Sequence, residues 1–579
     1  MIKNEFMMLL TMSFRNLGRH KVKTVITSTA IAISVSLYIF MDAWIMGMNI
    51  DSRRNIVIYE TGAAKIQTKA YFSKKKDLPM YESFSDYSGI DAVLDRNGYD
   101  SAPRFVFTGT IHSGTGTAPI VVHGVDPVQE ARILRYSNFI DAGKFIEKGS
   151  RSIVLGFNAA QKLGVGIPYR LDRNEYETEI LPAARNQSEL EFIESLYKPY
   201  AKDNKESADS GKKMSDRLVL KTDVSKNQIS KLWKILSEYG RMDVRISTTV
   251  DTKALPDKIE ATRFSQDIEP LFIGKEKTAL NRVYKKDPVV NYYLLTDSAI
   301  SDRDFVLSRL LEKDYNGAIR HTNQLIDTVV CGIINSPNPK TNSHVAYISL
   351  DALQGESGML LDGEINEILV RSRTADDSTL PGSKESPETI KNILLNSEVS
   401  RLFDEKSSIK SYILDVYSWK DYSEDFFAAA AGDRISTKVM IFFLFLLSFL
   451  GIANTMLMAI LQRTKEIGMM RALGMSDKQL MIAYIIESAM IGIIGSSIGL
   501  VIGALINIPM VKYGIDYSAM TNAMDGDIGY RISSHFKSVW NFDTMVYTFF
   551  IAVSLSGIMA IPPILRALRK SVTETLRFE

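Results

Sequence analysis

Four stretches without a single charged side chain, residues 24–41, 439–461, 488–511 and 544–565, decide what this 579-residue chain can fold into. A helix needs about 20 mainly apolar residues to cross the hydrocarbon core of a bilayer. All four runs approach or exceed that length, and each is bracketed by charge: Asp42 after the first, Lys438 and Arg463 around the second, Glu487 before the third and Arg566 after the fourth. Any one alone reads equally as a buried core helix. Four together predict an α-helical membrane protein with four transmembrane helices.

Orientation follows from the lysines and arginines of the short segments, which are retained on the cytoplasmic side. Lys3, Arg15, Arg19, Lys21 and Lys23 precede the first run, opposed only by Glu5. Arg463, Lys465, Arg471 and Lys478 lie between the second and third, and Arg566, Arg569, Lys570 and Arg577 follow the fourth. Between the third and fourth, Lys512, Arg531 and Lys537 are balanced by Asp516, Asp525, Asp527 and Asp543. Both termini and the middle loop are therefore expected in the cytoplasm, with the chain in the cytoplasmic (inner) membrane. The first span reads as an uncleaved signal anchor, since Asp42-Ala-Trp-Ile-Met-Gly is a poor small-residue cleavage site.

That topology places residues 51–438, about two thirds of the chain, outside the cytoplasm as one large mixed α/β domain between helices 1 and 2. Residues 105–111 and 118–125 are β-rich runs around Ser113-Gly-Thr-Gly-Thr, a hairpin signal. Gly124-Val-Asp-Pro127 opens a helix at 128–134, and 153–164 reads as strand, turn and helix stopped by glycine. Ser225 and Gln228 form a capping box for a helix that presents Ile229, Leu232, Trp233 and Leu236 and stops at Gly240. Residues 201–216 are nearly free of apolar side chains and read as a loop, as does the Pro/Gly-marked stretch 380–387. The β pattern returns at 329–334, 345–349 and 365–371. The expected organisation is a core in two halves, residues 51–170 and 326–420, around an insertion at 171–325. Around it lie an amphipathic N-terminal helix (1–23), helix 1 and its extension (24–50) and a stalk with helix 2 (421–461). A cytoplasmic loop (462–480), helix 3 (481–511), an external loop (512–543), helix 4 (544–565) and a tail (566–579) complete the chain.

Several chemistries are not written in the sequence. Lys+Arg exceeds Asp+Glu by only two, which gives no electrostatic footprint for nucleic acid. The single cysteine, Cys331, excludes an internal disulfide framework and any cysteine-built metal site. No Walker A pattern occurs: the nearest glycine–lysine pair, Gly211-Lys212, has Glu206 where the motif needs its first glycine. The six histidines, His20, His112, His123, His321, His344 and His535, are scattered with no HExxH pair; His112 and His123 could meet across the hairpin, where two ordinary strand histidines are the favoured reading. Gly495-Ser-Ser497-Ile-Gly499 matches the nucleophile-elbow pattern, but inside an apolar span rather than at a strand-to-helix turn. Gly495, Gly499 and Gly503, four residues apart, are better read as a smooth stripe for a neighbouring helix. No catalytic residue and no metal site are expected.

The loop at 462–480 carries the most specific pattern. Its helical propensity is high from Arg463 to Leu473, Gly474 suits a C-cap and Ser476 an N-cap for the following helix. By composition alone it is a positively charged anchor between two spans. Yet Arg463-x-x-Glu466-Ile467-Gly468-x-x-Arg471-Ala472-x-Gly474 resembles the signature of the MacB/FtsX family of ABC transporter permeases, which includes the macrolide exporter, the lipoprotein-release permeases and the cell-division FtsX protein. Arg15-Asn-Leu-Gly-Arg19-His-Lys-Val-Lys-Thr24 resembles the basic helix before that family's first span. Pro563, Arg566, Ala567, Arg569, Glu574, Leu576 and Arg577 fall in register with its tail, although Val572 stands where proline is usual. Residues 153–164 and 329–334 resemble two parts of its periplasmic porter domain. Glu487 matches a glutamate common just inside the third span, and reads either as a functional intramembrane acid or as an interfacial carboxylate paired with a nearby base.

The resemblance implies a permease subunit of an ATP-driven mechanotransmission complex. Residues 463–474 would receive the stroke of a cytoplasmic ABC ATPase present in two copies, and ATP and Mg would be bound by that partner rather than by this chain. A second copy or a paralogue would complete the membrane part. Glu60-Thr-Gly62 with Ala64-Lys-Ile-Gln67, and Gly124-Val-Asp-Pro127 with Glu130, resemble lipoprotein-release (LolC/LolE-like) permeases, which makes lipoprotein release from the outer leaflet the leading expectation. Tyr38, Phe40, Trp44 and Met48 would then line a substrate entrance opposite Phe442, Phe443, Phe445 and Phe449; the competing reading is that these aromatics face lipid or pack neighbours. An FtsX-like signalling scaffold that activates an envelope partner, and an efflux permease, are the alternatives.

Overall fold

A computed structural model describes residues 11–15, 21–85, 87–168, 170–199, 217–221, 224–287, 291–313, 315–355, 359–374, 386–403, 413–516, 535–569 and 571–572. The loop expected at 201–216, most of that at 380–387, and Arg19, Lys570, Glu574, Leu576 and Arg577 lie outside these residues. The chain divides into two compact units, one made of residues 1–52, 425–520 and 528–579, the other of 53–424 and 521–527.

The first unit is helical. Helix Lys21–Ile56 runs without a break through the expected first span and its extension, and a π-helical turn, Val57–Thr61, follows. Helices Glu424–Gln462, Asp477–Lys512 and Phe542–Met559 carry the other three runs, and Ile561–Leu568 follows the last. Among the described residues three stretches are long and apolar enough to cross a membrane: Thr24–Thr61, Asp477–Lys512 and Phe542–Leu568. The expected second span, 439–461, is helical throughout but is not among those three; the side chains at 447–449, 452 and 459 lie outside the described residues.

Small residues set the helix packing. A Cβ placed on Gly495 would lie 2.8 Å from the Ser28 carbonyl oxygen, on Gly499 2.7 Å from that of Ala32, and on Gly503 3.2 Å from Ile39. The glycine stripe therefore receives the first long helix at backbone contact, with Ile31, Val35 and Ile39 clustered against Ile491, Ala552 and Phe445. Ser488 Oγ donates to the Ser556 carbonyl at 2.6 Å, tying the third long helix to the fourth.

The second unit is built on one large sheet. In chain order its strands are β1 (Ala64–Thr68), β2 (Tyr99–His112), β3 (Thr117–Val125), β4 (Ile140–Gly143), β5 (Ser152–Gly156), β6 (Asp243–Lys253), β7 (Ile319–Ile334), β8 (Val345–Ser349), β9 (Glu367–Ser372) and β10 (Leu414–Ser418). Their spatial order is β10-β1-β9-β2-β3-β8-β5-β7-β4, and β6 bridges β7 back to β2, so the ladder closes on itself. The core lies inside, with Phe105, Phe107, Ile120, Val122, Ile153 and Leu155 all buried. β1, which follows the first long helix, pairs antiparallel with β10, which precedes the second.

Local sequence signals are realised where they were strongest. Asp126 caps helix Pro127–Ile133, accepting from the Val128 and Gln129 amides. The Ser225–Gln228 capping box opens helix Lys226–Glu238, and Gly240 ends it with φ +87. The insertion boundaries need correction. β6 lies inside 171–325 yet belongs to the large sheet, with Val244, Ile246, Thr248 and Val250 alternately buried, and β7 starts at Ile319, seven residues before the expected start of the second half at 326. What remains are two small lobes, each with a three-stranded sheet: Arg170–Asp172, Arg217–Leu220 and Tyr197–Pro199 in one, Lys258–Glu260, Tyr292–Leu295 and Tyr284–Lys286 in the other.

A buried charge network, which the sequence pattern did not reveal, crosses this unit. Arg104 donates through Nε to Glu130 Oε1 at 2.7 Å and reaches Glu367 Oε1 at 3.3 Å. Lys65 Nζ meets Glu367 Oε2 at 2.8 Å, and Gln67 donates to the same oxygen. Tyr422 hydrogen-bonds Gln67, while Glu60 is held by Lys340 at 2.6 Å and Asn338 at 3.1 Å. Burial alone would raise the Glu367 carboxyl, but Lys65 and Arg104 outweigh it and hold the group below its ordinary range.

Candidate functional site at residues 462–480

The loop folds as the capping signals require. Helix Thr464–Ala472 follows Arg463, Gly474 ends it with φ +99, a conformation that glycine alone adopts without strain, and a Ser476–Gln479 capping box starts helix Asp477–Lys512. Arg471 Nε pairs with Asp477 Oδ1 at 2.9 Å, closing the turn between the two helices.

The seven motif residues divide by face. Arg463, Ile467 and Gly468 turn inward. Ile467 packs in a cluster with Ile460, Leu480, Tyr484 and Ile564. Arg463 reaches Glu487 Oε1 at 3.6 Å and, more loosely, Glu466 Oε2 at 3.9 Å. Glu487 is buried beside it, as a carboxylate paired with a base. Arg471 is half-buried, and Glu466, Ala472 and Gly474 are exposed. Two further exposed residues stand out: Leu473, with 88% of its surface open, and Met469, with 54%. Glu466, Met469 and Leu473 succeed one another at spacings of three and four and so share one helix face. Neither apolar residue belongs to the family motif; their signal is the i, i+4 spacing on the side opposite Ile467.

The expected substrate entrance is assembled differently. Trp44 stacks on Phe40 and on Phe536, each with ring centroids 6.4 Å apart. Phe445 is buried against Ile31, Val35 and Ile39, whereas Phe442 and Phe443 are exposed. Tyr38 and Met48 are half-buried, and the Phe449 side chain lies outside the described residues. Among the described residues Trp44 thus has its aromatic partners in Phe40 and Phe536, and Phe442 and Phe443, exposed, do not share a facing row with buried Phe445. Among the described residues no group of three or more His, Cys, Asp or Glu could hold a metal ion.

Residues 438–572 match the family described as FtsX-like permease C-terminal, a match that begins with the expected second span and includes the whole loop. These residues carry an FtsX-like permease domain. The chain is 36% identical over 98 residues to the ABC transporter permease YtrF of Bacillus subtilis, covering 15% of this chain and 20% of the relative. It is 41% identical over 61 residues to an uncharacterised ABC transporter permease of Methanocaldococcus jannaschii, 10% and 15% of the two chains. The macrolide export ATP-binding/permease protein MacB of Nitrobacter winogradskyi is 28% identical over 120 residues, 19% of each chain. These matches span about a fifth or less of the relatives' own length. No relation particular to lipoprotein-release permeases emerges. The FtsX-like domain and the three long apolar stretches point to a membrane protein.

Proposed function

We propose that this chain is the membrane subunit of an ABC transporter. A separate cytoplasmic ATPase, two copies per complex, would hydrolyse ATP with Mg and push on residues 463–474, and a second permease copy or paralogue would complete the membrane part. The chain would sit in the cytoplasmic membrane with four spans, both termini inside and residues 51–438 outside. The observation that carries this reading is the exposed Glu466–Met469–Leu473 face on a helix anchored from behind by Arg463 and Ile467. An apolar face kept in water by a rigid support is a natural receiver for a partner surface.

For the cargo, the finer reading is release of lipoproteins from the outer leaflet, supported by the local resemblances at Glu60–Gln67 and Gly124–Glu130. Burying each methylene is worth ~0.8 kcal/mol, so acyl chains leave a membrane slowly without work. Efflux of a small molecule is the second reading, favoured by relatives named for macrolide export. Reconstitution in proteoliposomes with the ATPase and a radiolabelled lipoprotein tests both. ATP-dependent transfer of label to a soluble acceptor supports release. ATP turnover with all label retained in the membrane sinks it and leaves efflux, while the absence of any ATPase stimulation removes the transporter reading altogether.

A further inference from the structure

The two lobes between β5 and β7 repeat one another step by step. Each starts at a proline whose carbonyl accepts from a tyrosine hydroxyl at the end of the lobe's first long helix: Tyr197 to Pro168 and Tyr284 to Pro256, both at 3.0 Å. Each continues with a three-residue strand, a π-helical turn at Tyr176–Ile180 or Phe264–Ile268, and a 3-10 turn, Leu181–Ala183 or Glu269–Leu271, with proline in its first two positions. The amide of Arg185 then donates to Glu189 at 2.9 Å, and that of Ile273 to Glu276 at 3.0 Å. After the third strand, the Lys221 amide meets the Leu196 carbonyl and the Thr296 amide that of Val283. Both lobes order their strands first-third-second, both add a 13-residue helix, Lys226–Glu238 or Ile300–Glu312, and both end in a strand of the large sheet. Those strands, β6 and β7, pair antiparallel with each other.

Convergence on this detail is implausible, because π-helical turns account for well under 1% of residues and here two occupy matching positions before matching prolines. The interiors correspond, with Tyr176 against Tyr197 and Phe264 against Tyr284 as edge-on ring pairs. Outside they have drifted: exposed Arg185 and Lys231 stand where the other lobe has exposed Ile273 and Phe305.

The lobes differ in what holds them. Ile193, Leu196, Leu232 and Leu236 of the first are continuous with the core of the large sheet. In the second, Phe264, Leu280, Tyr284, Val306 and Leu310 belong to a separate cluster. The second lobe also leaves and rejoins the sheet at one place, since Lys253 pairs with Ile319 and the Ala254 amide donates to the Ala318 carbonyl at 3.0 Å. We infer that residues 168–253 and 256–334 are tandem copies of one β-α-β-β-α-β unit, and that the part of the second copy before its last strand, residues 256–318, is an autonomous module carried on the tip of the β6–β7 hairpin.

The inference is independent of the transport reading. Two full-length variants in detergent, followed by hydrogen exchange, test it. Tyr284→Phe removes one buried hydrogen bond and should make exchange within 255–318 about fivefold faster while β2, β3, β5 and β8 keep wild-type protection. Tyr197→Phe should speed exchange in its own lobe and in the adjoining sheet, whose core it shares. Replacing 254–318 by Asn-Gly, a two-residue hairpin turn, should leave protection of the large sheet unchanged. Faster exchange of β2, β3 or β8 in Tyr284→Phe, or a shortened chain whose sheet has lost protection, overturns the module. If the shortened chain does not accumulate, the exchange pattern of Tyr284→Phe alone decides.

Discussion

Arg463 and Glu487 face each other across the junction of the short and long helices, with Nη1 and Oε1 3.6 Å apart and only 5% and 11% of their side chains exposed. The pair fixes the short helix to the third long helix from the inside. Losing one member of a buried pair leaves an uncompensated charge and costs about 3–5 kcal/mol, whereas replacing both by apolar side chains of similar volume is often neutral. Arg463→Met and Glu487→Met should each lower the melting temperature in detergent, and the double variant Arg463→Met/Glu487→Met should recover most of the loss. Additive losses in the double variant would show that the two residues do not act as a pair.

The helical unit was legible because hydropathy and capping are local. Runs of 18 to 24 uncharged residues, the spacing of Gly495, Gly499 and Gly503, and the Ser476 and Gly474 caps need no tertiary knowledge. In the second unit locality failed. Lys65, Arg104, Glu130 and Glu367 have the composition of surface residues, and only pairing between residues 26 to 302 positions apart makes their burial possible. β6 alternates regularly, with Val244, Ile246 and Val250 inward against Arg245 and Asp251, but the sheet it joins is set by its pairing with β7 and with the distant β2, which no local pattern announces. The duplicated lobes share conformation more than identity, so no repeat was visible before the π-turns were.

The glycines separate tight contact from open space. A methyl on Gly499 would meet the Ala32 carbonyl and Val35, so Gly499→Ala should destabilise by about 1–3 kcal/mol through overpacking. Gly451, on helix Glu424–Gln462, has nothing within 4 Å of an added Cβ. Gly451→Ala should therefore be neutral or gain up to about 1 kcal/mol of helix stability. Thermal melts of the two variants check the contrast, and equal shifts would refute it.

His123 makes the second unit sensitive to mild acid. Its ring packs edge-on against Tyr347, and although the residue keeps some surface, Nδ1 is sealed from solvent with no hydrogen-bond partner among the described residues. Burial, then the charges of Arg104, Lys65 and Lys340, push its pKa well below the ordinary value. Below about pH 6.5 the unfolded chain binds a proton that the folded one refuses. This contribution is complete above that pH and falls by about 1.4 kcal/mol per unit below it, until the folded imidazole protonates. His123→Phe should flatten the stability profile between pH 6.5 and 5; an unchanged slope would assign the acid sensitivity to other groups.

Orientation is checked by labelling in a Cys331→Ser background. Ser308→Cys, on exposed helix Ile300–Glu312, should react with an impermeant maleimide in intact spheroplasts. Lys478→Cys, exposed at the start of helix Asp477–Lys512, should react only after lysis. The reverse pattern would invert the proposed topology and remove residues 462–480 from the reach of any cytoplasmic ATPase.

The decisive variants for the coupling role are those that change the exposed face without touching its support. Leu473 and Met469 project into solvent, so Leu473→Asp and Met469→Asp should alter stability by no more than about 0.5 kcal/mol. Ile467, closed in among Ile460, Leu480, Tyr484 and Ile564, should tolerate no such change, because a buried unpaired carboxylate either protonates or forces the helix open. A receiver surface predicts that Leu473→Asp and Met469→Asp abolish co-purification of the ATPase and its stimulated hydrolysis while the melting temperature stays within a degree or two. Ile467→Asp should lose both together. If instead the two surface variants retain full coupling, the loop serves only to anchor its neighbouring helices, and the stroke of the ATPase must enter the protein elsewhere.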